Sequence, residues 1–117
     1  MHSRAKVWVV FDGGTKFGGG RAELLRLVQK EGSLRRAVER MEMSYRAAWG
    51  YIRELEKAAG FPFLERPGKG RSSGTRLTSE ARAFLHAFDA FRAQVDAQAA
   101  RAFKSSFRGT KRTRRRA

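Results

Sequence analysis

Four residues near the middle of the chain could bind a polyanion if they lie on one helix. Arg46, Gly50, Arg53 and Lys57 follow one another at steps of four, three and four residues, which places them on one face of an α-helix. Cationic side chains bind phosphates, and a guanidinium also pairs with the two major-groove acceptors of guanine. The small central residue would let the helix backbone approach a ligand closely. This row predicts a nucleic-acid-binding surface; the alternative is a solvated basic helix face.

A second set of basic and hydroxyl side chains follows in the glycine-rich stretch RPGKGRSSG, residues 66–74. It lies between FPFLE and TRL, which read as two short strands of a hairpin. A basic hairpin of this kind fits the DNA backbone or minor groove beside a major-groove helix. The alternative is a mobile surface turn kept in solution by its charge. The contacts predicted for this loop are Arg66, Lys69, Gly70, Arg71, Ser72, Ser73 and Arg76.

Charge is the strongest compositional feature of the chain. Its 117 residues include 26 Lys+Arg against 11 Asp+Glu, a net charge of +15. Such a balance favours nucleic acid as a partner, with an anionic membrane surface second and a merely soluble basic protein as the alternative. Residues 104–117 lack acids and apolar periodicity, so we predict a disordered basic tail that binds phosphates without reading sequence. Its assigned cations are Lys104, Arg108, Lys111, Arg112, Arg114, Arg115 and Arg116.

Residue types that catalysis and metal binding require are scarce. Cysteine is absent, and the two histidines, His2 and His86, have no ligand partner at metal spacing. No nucleophile with a base and an orienting group is readable, so we expect neither an enzyme nor a cofactor. The longest early apolar run, Val7 to Phe11, is too short for a signal peptide or a membrane span. We therefore expect a cytoplasmic protein that associates with the nucleoid.

Hydrophobic spacing and capping signals predict the elements that hold these residues. KVWVVF at 6–11, a turn at 12–14 and TKF at 15–17 indicate an N-terminal β-hairpin. Helices are expected over about 21–31 and 34–41, with Gly32 ending the first helix and Ser33 capping the second.

The third predicted helix carries the basic row. Ser44 caps it and Gly60 ends it, while Tyr45 and Arg46 occupy its first turn, from which a recognition helix reaches deepest. Only Glu42 and Met43 separate it from the preceding helix. Two helices joined so tightly cross steeply, so residues of about 33–60 form a helix-turn-helix and 61–77 the following wing.

A long last helix is expected from its cap at Thr78 to about Phe103. Its apolar residues form two rows, one of which can cover the core of the domain. The other would leave aromatic rings in water on a monomer, and exposed apolar rows mark interfaces. We therefore predict a homodimer, with the alternative that the helix packs wholly on its own domain. The residues assigned to the interface are Phe84, Phe88, Phe91 and Val95.

The predicted fold is mainly α with small β: a winged helix-turn-helix with an N-terminal β-hairpin and a long C-terminal dimerisation helix, one domain over 1–103. The stretches FGGGR, EGSL, MSYRAAW and the LT after the wing resemble the N-terminal DNA-binding domain of ModE-type molybdate-responsive regulators, within the LysR-type winged helices. The resemblance covers roughly Lys6 to Val95. It implies that Ser44, Tyr45 and Arg46 begin the recognition helix and that 69–74 form the wing.

Three features depart from the ModE-type pattern. Glu42 stands where the turn usually has glycine, which costs on the order of 1 kcal/mol if the backbone is left-handed. Ala81 replaces a glycine that commonly follows the LT pair. The sequence ends soon after the last helix, without the molybdate-binding domain of the full-length regulators. We therefore expect no molybdate binding, and control, if any, through a separate effector or sensor protein.

The resulting hypothesis is a molybdenum-related type of transcription regulator that binds duplex DNA. The alternative is an architectural or nucleoid-associated protein that binds DNA with little sequence specificity. An RNA-binding or membrane-surface protein fits less well, because the aromatic residues have core spacing rather than that of a stacking platform.

Overall fold

The computed structural model describes residues 1–65 and 74–109. Mainly helical, it contains two antiparallel two-stranded sheets, β1–β2 and β3–β4, and so confirms the predicted fold class. The last helix follows the second sheet. The elements in chain order are β1 Val9–Val10, β2 Lys16–Phe17, α1 Gly19–Glu31, α2 Leu34–Met41, α3 Tyr45–Ala59, β3 Leu64–Glu65, β4 Arg76–Leu77 and α4 Ser79–Ser106.

The helix-turn-helix of α2 and α3 begins and ends where the capping signals predict. The Ser33 hydroxyl accepts a hydrogen bond from the Arg36 N–H at 3.2 Å, and Ser44 accepts one from the Ala47 N–H at 2.9 Å. Between the helices, Glu42 adopts φ 54°, the left-handed conformation that glycine would hold without strain. The turn therefore keeps its geometry although it carries a side chain.

One hydrophobic core joins the helices, the N-terminal hairpin and the second sheet. Its side chains come from the apolar faces that helical spacing predicts, because each helix has one buried face and one solvated face. Leu27, Met41 and Trp49 pack against it while staying partly exposed. The buried members are Phe17, Ala22, Leu24, Leu25, Val28, Leu34, Ala37, Val38, Ala48, Ile52, Leu55, Phe63, Leu77, Ala81, Leu85 and Phe88.

The N-terminal hairpin covers the first half of α4, and this corrects one prediction. Phe88 is only 2% exposed and meets the Phe17 ring at 5.0 Å. Phe84 stacks on Phe11 at 5.8 Å and meets Phe17 edge-on at 4.9 Å. The expectation that these two rings of α4 would lie in water is therefore wrong, because the hairpin supplies aromatic partners that bury Phe88 and partly bury Phe84.

An ion pair also fixes α4 to α1. Arg26 lies 2.7 Å from Asp89 of α4 and 3.2 Å from Glu23 of its own helix. Partial burial of Arg26 lowers its pKa, but hydrogen bonds and attraction from Asp89 and Glu23 outweigh that effect, so the pKa is raised. Arg26 therefore stays charged and holds the two helices together.

The last helix is longer than the sequence predicts. It reaches Ser106 rather than about Phe103, and the Phe107 N–H closes it by donating to the Phe103 carbonyl. The rings of Phe103 and Phe107 lie 4.8 Å apart, and the alanines before them favour helix. Lys104 is thus helical rather than part of a disordered tail, while 110–117 lie outside the described residues.

The base of the wing is held against the helices from both sides. The Thr78 hydroxyl donates to the Pro62 carbonyl at 2.7 Å and accepts from the Ala81 N–H at 3.0 Å. On the other side, the Thr75 N–H donates to the carbonyl of Gly32, in the α1–α2 turn, at 3.0 Å. The wing therefore starts from a fixed position next to α2.

Candidate nucleic-acid interface

Helix α3 has a buried face and an exposed basic face, as its spacing predicts. Ala48, Ile52 and Leu55 are at most 1% exposed. On the opposite side, the predicted row of Arg46, Gly50, Arg53 and Lys57 is exposed along its full length. We call these four residues the basic row. In this structure it forms one continuous surface of the domain.

Within residues 1–65 and 74–109, the cations of the basic row are not neutralised by acids. The four ion pairs of this part involve Arg21, Arg26 (in two of them) and Arg40. Arg46 and Lys57 take part in none of them, and Arg53 meets only an aromatic ring. Their charge therefore remains available to an external polyanion.

Gly50 lies in the middle of the basic row with open space in front of it. A β-carbon built at this position would meet no described atom within 4 Å. Glycine inside a helix costs roughly 1 kcal/mol relative to alanine. The packing of the described residues therefore does not require glycine here, and the position leaves room for a ligand to approach the backbone of α3.

A stack of arginine and aromatic side chains joins α2 to α3 and shares Arg53 with the basic row. The Arg35 guanidinium carbon lies 4.6 Å from the centroid of the Tyr45 ring. Tyr45 meets Trp49 edge-on with ring centroids 6.3 Å apart, and Arg53 lies over Trp49 at 5.8 Å. We call these four residues the arginine–aromatic stack.

Sequence reasoning missed Arg35, although the sequence holds a signal for it. The first turns of α1, α2 and α3 contain no acidic residue, whereas that of α4 contains Glu80. The N-terminal end of a helix is positive and favours acids. Arg35 and Arg36 in the first turn of α2 oppose this preference, and such an opposition indicates a function other than helix stability.

The other flank of α3 contacts the rest of the domain through Arg21. Arg21 of α1 pairs with Glu54 at 3.2 Å, donates to the Lys16 carbonyl at 3.0 Å and lies 4.6 Å from the Tyr51 ring centroid. These contacts fix α3 against α1 and β2. Arg21 is therefore engaged within the domain, whereas the cations of the basic row pair with no acid among residues 1–65 and 74–109.

A cleft brings the start of α2, the first turn of α3 and the base of the wing together. It is lined by Ser33, Arg35, Arg36, Tyr45 and Thr75, among others. Two elements to which the sequence assigns nucleic-acid contacts, α3 and the wing, therefore converge at one place, next to the start of α2. The Ser44 hydroxyl, a predicted contact, already accepts the capping hydrogen bond from Ala47.

Only some of the remaining predicted contacts lie among the described residues. Arg76 is exposed on β4, Lys104 is exposed in the last turn of α4, and Arg108 is exposed just beyond that helix. Of the predicted interface row, Phe91 is 43% exposed and Val95 is partly exposed. The other predicted wing contacts, 66–73, and the tail cations at 111–116 lie outside the described residues.

Two further findings limit the kinds of site in the described ranges. Residues 1–65 and 74–109 hold no group of three or more His, Cys, Asp or Glu side chains that could bind a metal ion. None of the helices described is long and apolar enough to cross a membrane.

Comparison with known proteins supports the helix-turn-helix assignment. Residues 21–82 match the family of bacterial regulatory helix-turn-helix proteins, lysR family. The chain is 34% identical over 70 residues to the transcriptional regulator ModE of Haemophilus influenzae, covering 59% of this chain and 28% of that protein. It is 38% identical over 72 residues to the molybdenum transport protein ModE of Azotobacter vinelandii, covering 61% and 27%. These matches confirm the resemblance to ModE-type proteins.

The chain thus spans less than a third of the length of these two relatives. A solved structure, that of a CbnR_DBD–DNA complex, resembles it with a TM-score of 0.47 and 24% identity, covering 81% of this chain and 92% of that one.

Proposed function

Since this chain belongs to the lysR family of bacterial regulatory helix-turn-helix proteins, we propose that it is a transcription regulator that binds duplex DNA as a homodimer. Helix α3 lies in the major groove, and the wing of 66–76 contacts the flanking backbone or minor groove. The family is one of regulators rather than enzymes. The protein acts on the nucleoid in the cytoplasm.

The observation that carries this proposal is the exposed, unneutralised basic row with Gly50 at its centre. A major groove is roughly as wide as one α-helix and is walled by phosphates. Arg46 in the first turn is placed to reach a base edge, whereas Lys57, at the far end of α3, meets the backbone. The opening at Gly50 lets the helix backbone come close to the bases.

Selection of bound fragments from genomic DNA tests sequence specificity. A set of discrete sites that survives competition with bulk duplex supports a regulator. Arg46→Ala should then relax preference at one base pair and cost roughly 1–3 kcal/mol on the preferred site. Arg40→Ala removes the same charge from α2, where Arg40 pairs with Glu31, and should leave the preference intact. Equal effects of both substitutions would refute the role of Arg46.

The alternative is an architectural protein that binds DNA with little sequence specificity, which the net charge of +15 favours. Charge contacts to phosphate supply essentially all of non-specific binding. If bulk duplex displaces every selected fragment equally, this alternative replaces the regulator.

The homodimer rests on Phe91 and Val95, which are exposed and partly exposed and, unlike Phe84 and Phe88, are not part of the described hydrophobic core or its packed neighbours. Pairing of two such helices about a twofold axis would bury these side chains. Phe91→Asp should shift the protein from dimer to monomer in sedimentation at micromolar concentration. Val10→Asp, which alters a more exposed apolar residue of the hairpin (57% against 43%), should not. A monomeric parent protein would count against the dimer.

A further inference from the structure

We propose that the arginine–aromatic stack orients the first two turns of α3 for base reading, with Arg35 and Trp49 as positioning residues that act through Tyr45 and Arg53. This inference rests on the proposed function, because it assigns a cause to sequence preference. It distinguishes residues that attract DNA by their charge from residues that orient other side chains toward the bases.

One end of the stack packs against the core, and the other end is exposed. Trp49 packs against the hydrophobic core, so its ring position is set by the fold. Tyr45 is 38% exposed, and burial alone does not hold it. Its ring is instead held from two sides, by the edge of Trp49 and by the Arg35 guanidinium over its face. The orientation of the tyrosine at the first position of α3 therefore depends on an arginine of another helix.

Arg53 is positioned from the end of the stack that packs against the core. Its guanidinium lies 5.8 Å from the Trp49 ring centroid, within the range of a cation–π interaction. Arg46 and Lys57, its neighbours in the basic row, have no ring contact within 1–65 and 74–109. Among the described residues, the basic row thus has one cation, Arg53, that contacts an aromatic ring and two cations, Arg46 and Lys57, that do not.

This difference matters because specific and non-specific binding make different demands. Attraction to phosphates depends on charge and tolerates many side-chain conformations. Hydrogen bonds to base edges depend on direction, and a side chain already held in place loses less rotamer freedom on binding. Loosening the stack should therefore reduce selectivity more than it reduces general affinity for DNA.

Arg35→Lys tests this separation, since it keeps the positive charge but removes the flat group that stacks on Tyr45. We expect the ratio of affinities for the selected site and for bulk duplex to fall roughly two- to fivefold, the worth of one exposed cation–π contact. The salt dependence should stay unchanged, because the number of cations is unchanged. Arg40→Lys makes the same substitution on the same helix, where the arginine contacts Glu31 and no ring among the described residues, and should leave the ratio unchanged.

A measurement on the DNA-free protein checks the stack itself. The ring current of Tyr45 should shift the NMR resonance of the Arg35 Hε upfield, and Tyr45→Leu should abolish that shift. An unshifted resonance in the parent protein overturns the proposal. So does an unchanged selectivity ratio in Arg35→Lys on a site that the parent protein selects, and in that case the proposed function stands. If the parent protein selects no site, both this inference and the proposed regulator fail.

Discussion

Gly50 offers a test in which stability and binding should change in opposite directions. The residue lies in the interior of α3 on its exposed face, and a β-carbon there would meet no described atom within 4 Å. Gly50→Ala should therefore stabilise the free protein by about 0.8–1 kcal/mol, the difference in helix propensity between the two residues. In a domain of this size that raises Tm by a few degrees.

The same methyl group should weaken binding to DNA. It would project from the centre of the basic row, at the position where the proposed complex brings the helix backbone closest to the bases. We expect a loss of about 1–3 kcal/mol on the selected site, comparable to one mismatched base pair. Urea denaturation of the free protein and titration of labelled duplex at fixed salt give the two values.

Gly20→Ala is the matched control. Gly20 is exposed in the first turn of α1, and a β-carbon there is also free of described neighbours. It should raise stability without changing affinity. If Gly50→Ala stabilises the protein and leaves affinity for the selected site unchanged, the backbone of α3 does not approach the bases at Gly50, and the proposed placement of the helix is wrong.

Three further predictions concern the turn, the wing and the tail. Glu42→Gly should stabilise the protein by about 0.5–1 kcal/mol in urea denaturation, because glycine relieves the φ of 54° at some cost in unfolded-state entropy; Glu42→Ala keeps the strain and should show no such gain. Gly74→Ala should destabilise the protein by roughly 1–3 kcal/mol, because Gly74 has φ 105° and a β-carbon there would lie 3.0 Å from the Gly32 carbonyl oxygen. No loss of stability would mean that the wing base can shift freely. Deleting 110–117 should weaken binding to all duplexes and flatten the salt dependence by up to about 0.9 per lost phosphate contact; loss of site preference would contradict a purely electrostatic role.

Local signals predicted the helix-turn-helix almost residue by residue. Ser33, Gly32, Ser44 and Gly60 act within one or two turns of their own position, so their effect on helix boundaries can be read without knowing the fold. The left-handed backbone at Glu42, with φ 54°, was considered instead from the ModE-type resemblance, because the turn of that family usually has glycine at this position. The sequence alone also placed the basic row on one face, because helical periodicity does not depend on tertiary contacts.

Tertiary structure decided which side chains remain free to act. The sequence placed Phe84 on an exposed row and Phe88 on both that row and the row facing the core, but Phe11 and Phe17, more than 60 residues away, partly bury Phe84 and bury Phe88. Likewise, Arg35 meets Tyr45 only because α2 and α3 cross, and Arg21 is occupied by Glu54 of another helix. Periodicity gives the direction of a side chain on its own element, whereas the partner it meets depends on how distant elements pack.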